Sequence, residues 1–136
     1  MLLRSQFLQK VDLVAHSPLV RAKDTCFGAL DLSNHPHVKV VELDSLREIF
    51  PWERLLFLKG RRQRPLRRRI RDLCHWLASQ DARTVVLVGH SEYFMVLLDQ
   101  KEKFRNCDVW KAKFQNDQWS NLKLVHRLGS STKDLW

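Results

Sequence analysis

Several signatures are missing from this chain of 136 residues, and each absence closes a route. No apolar run approaches the ~20 residues that cross a bilayer, so no membrane partner is expected. The opening MLLRSQFLQK has one early arginine and only a short, interrupted apolar stretch, which argues against a secretory signal. VDLVAHSPL already reads as folded domain, leaving little chain for a removable leader. Cys26, Cys74 and Cys107 are odd in number and widely spaced, with no CxxC or Cys/His metal pattern. They read as small buried thiols of a reduced, cytoplasmic protein, and neither metal nor cofactor is expected. There are no internal repeats and no low-complexity linker.

Acidic residues are the scarce charge. Fifteen Asp and Glu against 24 Lys and Arg give a formal net charge of +9, which favours anionic partners: phosphorylated small molecules or phosphoproteins, nucleic acid or a membrane surface, among which charge alone does not choose. The length is that of one domain with a real core. We divide it into a domain over 1–128 and a flexible tail over 129–136.

The pattern along the chain alternates strand and helix. Residues 2–9 suit a helix, with Leu3 and Phe7 four apart. VDLVAHS (11–17) suits a strand and ends in Ser17-Pro18, a good helix start because serine can cap free amides and proline is tolerated in the first turn. The next segment places Leu19, Ala22, Cys26 and Ala29 at helical spacing. SNHPH is a loop, VKVVEL (38–43) a second strand, and the stretch around Pro51 a loop leading to a short helix ending near Gly60. From about Pro65 a helix carries Leu66, Ile70, Leu73 and Leu77 on one stripe. TVVLVGH is a third strand, and SEYFMVLLDQKEKF a further helix. CDVWKAKFQ and WSNLKLVHRL form a hairpin about Asn116-Asp117. This order predicts an α/β fold with a mainly parallel sheet flanked by helices. Ligand sites in such sheets lie at the carboxyl ends of the strands. AHSPLVRA and VGHSEYF are both junctions of that kind, and they should open on one face.

Two chemistries compete for GHS. In a nucleophile elbow, G-x-S-x-G, Ser91 would attack, with Asp99, Asp108 or Asp117 and His126 as partners. The position two after the serine must then be small, and here it is Tyr93. In a phosphate site, His90 at a strand end would hold a phosphate oxygen, an arginine would neutralise others, and a carboxylic acid would protonate the leaving group. Arg21 and Glu48 each follow a strand and fit those parts, with Ser91 beside His90 as a further phosphate contact.

These segments resemble the histidine phosphatase (phosphoglycerate mutase-like) superfamily. SPLVRAKDT is similar to its S-x-L-x-R-A-x-x-T segment, LDSLREI to its L-x-E segment, and VVLVGHSEYFMVLL to its histidine-bearing strand and helix. RNCDVWKAKF resembles the edge strand that follows. The resemblance implies phosphomonoester hydrolysis through a phosphohistidine. Arg21 would bind the phosphoryl group, His90 would stabilise it, and Glu48 would act as general acid and then base, with Glu53 as a fallback because EIFPWERL departs from the family pattern. The family nucleophile lies in an Arg-His-Gly motif at the end of a first, central strand, and this chain has no Arg-His-Gly. The resemblance therefore implies a domain missing its first strand and inactive for want of a nucleophile. It also predicts an opening in the sheet, and hence a marginal fold or pairing of an exposed edge with a second copy.

A separate reading is a non-catalytic phosphate- or nucleic-acid-binding module using the basic run 59–71, with Arg61 to Arg71 as contacts. Against it stands an ordinary solvated helix face, since Leu66 and Ile70 continue an apolar stripe. Of the other histidines, His16 reads as structural, His35 and His37 as exposed loop residues, and His75 as surface. Trp52 is a candidate wall of the substrate mouth.

Overall fold

The computed structural model describes residues 5–50, 64–102 and 104–127. The anticipated short helix before Gly60, Trp52, Glu53, Arg61 and the 129–136 tail lie outside these residues. Three strands, β1 (Leu13–His16), β2 (Lys39–Glu42) and β3 (Val85–Val88), form a parallel sheet in the order β2-β1-β3. Their registers align Leu13 with Lys39 and with Val85, and His16 with Glu42 and with Val88. β1 is thus bonded on both sides, and its four residues are all buried. The opening expected inside the sheet is not found among the described strands, because β1 itself takes the centre and bonds directly to β3. The strand edges left over are the outer ones, of β2 and β3.

The alternation of side chains along a strand explains the two layers around this sheet. Val14, Val40, Val86 and Val88 face one way, onto a core made with Phe7, Leu8 and Val11 and with Cys26 and Leu30. Those residues come from helix α1 (Ser5–Gln9) and helix α2 (Val20–Ala29), or directly follow them. Ala15 and Leu87 face the other way, onto Leu46, Ile49, Leu66, Leu73, Tyr93 and Leu97. That second layer is built from helix α3 (Arg64–Ser79) and helix α4 (Ser91–Leu97). The anticipated stripe on α3 is present: Leu66 and Leu73 are fully buried, with Ile70 and Leu77 packed beside them. Asp12 ties two strand starts together, because its carboxylate accepts from the amides of Arg83 and Thr84 at 2.9 and 3.0 Å.

Two boundaries differ from the sequence reading. α2 begins at Val20, not at Ser17-Pro18, and its cap position, Leu19, receives no side-chain cap. Ser17 instead turns back, its hydroxyl accepting from the Leu19 amide at 3.2 Å. α4 stops at Leu97, two residues before Asp99, which adopts a left-handed φ of 50° that does not continue a right-handed helix. β4 (Val109–Gln115) and β5 (Gln118–His126) do form the anticipated antiparallel hairpin. Asn116 and Asp117 turn it with φ of 53° and 59°, the left-handed pair that a two-residue hairpin turn requires. The hairpin is a separate two-stranded sheet, not an edge of the parallel one. Trp119 anchors it by packing into the second core.

Candidate functional site

Parallel pairing brings three strand ends to one place. The chain leaves β1 at His16-Ser17, β2 at Leu43 and β3 at Gly89-His90. Backbone bonds stitch the three exits together: the Ser17 amide donates to Val88 at 2.9 Å, and the Leu43 amide to His16 at 2.9 Å. A short 3-10 turn, Asp44–Leu46, then carries the chain over the sheet end toward Glu48. Gly89 makes room for this. A Cβ there would stand 3.1 Å from the ring of Phe94 and 3.6 Å from the carbonyl oxygen of Leu46.

His90 is at the centre of the junction and is buried. Its Nε2 lies 2.8 Å from Oγ of Ser17, which is itself fully buried. Its Nδ1 faces Oε2 of Glu48 at 3.6 Å. The other carboxylate oxygen, Oε1, accepts from the Ile49 amide at 3.0 Å, so the carboxylate is fixed in rotation. Burial pulls the imidazole below the ordinary histidine range; Glu48 opposes this, while the guanidinium charges of Arg21 and Arg69 reinforce it. The outcome is a neutral ring at neutral pH, held between a hydroxyl and a carboxylate.

The anticipated residues are thus unequally placed. His90 and Glu48 are brought together. Arg21 lies in the first turn of α2, exposed, and its positive field reaches His90. Ser91 opens α4 next to His90, yet its hydroxyl is buried with no hydrogen-bond partner among the described residues. Nor is it bonded to the residues named for an elbow mechanism: Asp108 is bound to Arg127, and neither ring nitrogen of His126 has a hydrogen-bond partner among the described residues. His16 is structural as expected, buried with Nδ1 2.9 Å from the carbonyl of Ser17. His35 is a correction: it is buried, not exposed, and its Nδ1 is held 2.8 Å from the Asp31 carbonyl. His37 and His75 are exposed. Among the described residues, no group of three His, Cys, Asp or Glu side chains gathers as a metal site.

Two participants were not assigned from the sequence. Ser17 has the sequence signature of a helix cap, but parallel pairing of β1 and β3 brings it beside His90. Arg69 was counted with the solvated basic run. It turns inward instead, donating to the carbonyls of Arg47 at 2.6 Å and Glu48 at 3.3 Å, with its guanidinium carbon over the rings of Phe50 and Tyr93 at 5.6 and 5.4 Å. The signal was spacing: Arg69 stands three residues after Leu66 and four before Leu73, on the apolar stripe. Arg67, Arg68 and Arg71 remain exposed.

No protein-family model matches the chain, and no curated protein or solved structure is significantly similar to it. None of the helices among the described residues is long and apolar enough to cross a membrane.

Proposed function

We propose that this domain binds a phosphomonoester at the carboxyl ends of β1 and β3, in a site of the histidine phosphatase, phosphoglycerate mutase-like kind. The observation that carries this reading is the meeting of His90 with Glu48 at a strand-end junction in the field of Arg21. The phosphate lies beside the neutral imidazole, and Arg21 supplies the countercharge from the exposed rim. The Glu48 carboxylate faces Nδ1 of that ring at 3.6 Å and orients it. These 136 residues contain no Arg-His-Gly to supply that superfamily's nucleophilic histidine.

The test is a titration of the protein with inorganic phosphate, followed by the ring resonances of His90. Saturable shifts at His90 that weaken in Arg21→Ala are expected. Shifts unaffected by Arg21→Ala, or none at all, sink the reading.

The competing reading, a nucleic-acid surface on α3, is favoured by the exposure of Arg67, Arg68 and Arg71. It predicts salt-dependent RNA binding that is lost when those three are neutralised and untouched by Arg21→Ala. Arg69 must be left intact in that experiment, because its guanidinium holds the backbone of the Glu48 segment.

A further inference from the structure

Ser17 has more than a structural part at this junction. The Leu19 amide donates to Oγ, so one lone pair is spent there and the hydroxyl proton is left to point at His90, 2.8 Å away. On the far side of the ring, the Glu48 carboxylate faces Nδ1 at 3.6 Å. The tautomer that suits both neighbours carries its proton on Nδ1, toward the carboxylate, and has a free Nε2 toward the serine. Burial of His90 favours this neutral form. A hydroxyl against a free imidazole nitrogen, with the other nitrogen oriented by a carboxylate, is how proteins activate serine as a nucleophile.

We propose that Ser17 is the phosphoryl acceptor of the site. The inference rests on the phosphomonoester reading above and supplies the nucleophile that an absent Arg-His-Gly leaves unfilled. Oγ of Ser17 attacks the phosphorus and forms a P–O bond, while its proton moves to Nε2 of His90. The bond from phosphorus to the leaving oxygen breaks; a phenolate departs as the anion, and an alkoxide takes the proton back from His90. The product is a phosphoserine and either a free alcohol or a phenolate, with the serine proton left on His90 in the second case. Glu48 is a positioning residue in this step, holding the ring in the required tautomer. Ser17 is fully buried, so attack requires the Ser17–Leu19 turn to open to the ester, and the reaction is slow. Once the turn closes again it keeps water from the phosphoserine, so the covalent form accumulates.

The experiment incubates the full chain with p-nitrophenyl phosphate and follows both phenolate release and phosphate on the chain. Release that stops when it matches the chain in amount is expected, with the phosphate mapped by peptide mass spectrometry to Ser17. The bond should survive acid and be lost in alkali, as phosphoserine does. Ser17→Ala should abolish labelling, and His90→Ala should slow it by about a hundredfold. Glu48→Gln should slow it too, while shifting the tautomer balance of His90 in the imidazole nitrogen spectrum, which a merely structural glutamate would leave unchanged. Peptide mapping on the unaltered chain keeps the test independent of whether any variant folds. No phosphate on Ser17 in a chain that binds inorganic phosphate overturns this inference and leaves the binding reading standing. An acid-labile phosphate, which marks histidine, overturns it as well. Absence of phosphate binding removes both.

Discussion

Nη1 of Arg69 lies 2.6 Å from the carbonyl oxygen of Arg47, and the same guanidinium reaches the carbonyl of Glu48. A residue from a run of arginines on α3 therefore fixes the backbone of the segment that presents a carboxylate to His90. The link joins the second core layer to the candidate site. It also separates Arg69, built into the fold, from the exposed Arg67, Arg68 and Arg71.

Replacing Arg69 by methionine keeps the stem on Phe50 and Tyr93 but leaves two carbonyls without their donor. The expected loss is about 1–3 kcal/mol of stability, read as a lower urea midpoint with an unchanged slope. Lysine should not restore it, because a single ammonium lacks the planar fork that spans both oxygens. Arg68→Met, on the exposed face, should move the midpoint little. Equal effects at positions 68 and 69 would contradict the inward placement of Arg69.

Acid should weaken the fold in an identifiable window through His90. Burial lowers its folded value, Glu48 resists, and Arg21 and Arg69 push the same way as burial. The unfolded chain therefore binds the proton first, from about pH 6.5 downward. Stability that is full above that point should fall as pH drops toward the folded value. In His90→Gln this component of the slope should vanish, measured as the difference in unfolding free energy between pH 7 and the start of carboxylate titration. A variant that keeps the whole slope would place the titration elsewhere.

The parts of this architecture that repeat over several residues could be read from the sequence. Apolar periodicity gave α3 and its buried Leu66 and Leu73, and the short β-rich runs gave the three parallel strands. Asn116-Asp117 gave the hairpin turn, since these residues tolerate the left-handed conformation at little cost. Single-residue decisions were not legible. Ser17 has the chemistry of a helix cap, and only the hydrogen-bonded adjacency of β1 and β3 turns it toward His90. Arg69 looks like its neighbours in composition and differs only in where the helix points it. His35 sits in a polar loop beside Pro36, and its burial follows from a carbonyl four residues back that holds the ring inward. Helix ends were the least readable, because α4 stops without a glycine or proline, at a Leu-Leu-Asp sequence that composition alone would continue.

The three thiols should separate by reactivity. Cys26 is fully buried on α2, and burial pushes it up to about 11; Cys74 is raised by burial as well; Cys107 is exposed. Thiolate is the reactive form, so alkylation under native conditions should label Cys107 first and Cys26 last. Cys26 should react only at the rate of unfolding, shown by its labelling speeding up with urea. Fast labelling of Cys26 in buffer would mean that α2 opens away from the sheet.

Asp108 is the last test, because it decides whether the hairpin is part of the same folding unit. Its side chain is 1% exposed, yet it keeps its charge. Arg127 donates to it through Nε at 3.0 Å and Nη2 at 2.9 Å, the Arg105 amide at 2.9 Å, and the Trp110 indole at 3.3 Å. Burial pushes the carboxyl up, but these donors outweigh it and hold Asp108 below the usual carboxylate value. Trp110 stacks on Phe104 at 5.1 Å, and Phe104 lies 5.7 Å from Phe94 of α4, so the carboxylate orders an aromatic row from hairpin to helix. Asp108→Ala leaves those donors facing one another without an acceptor and should cost about 1–3 kcal/mol. The unaltered protein should lose this contribution only below about pH 4, where the unfolded carboxyl begins to bind protons, well separated from the His90 window. The variant should lack that acid limb while retaining the one near pH 6.5. If the fluorescence of Trp110 and Trp119 melts before the helical circular dichroism in the unaltered chain, the hairpin unfolds independently. Coincident transitions that separate only in Asp108→Ala would make this carboxylate the fastening between the two sheets.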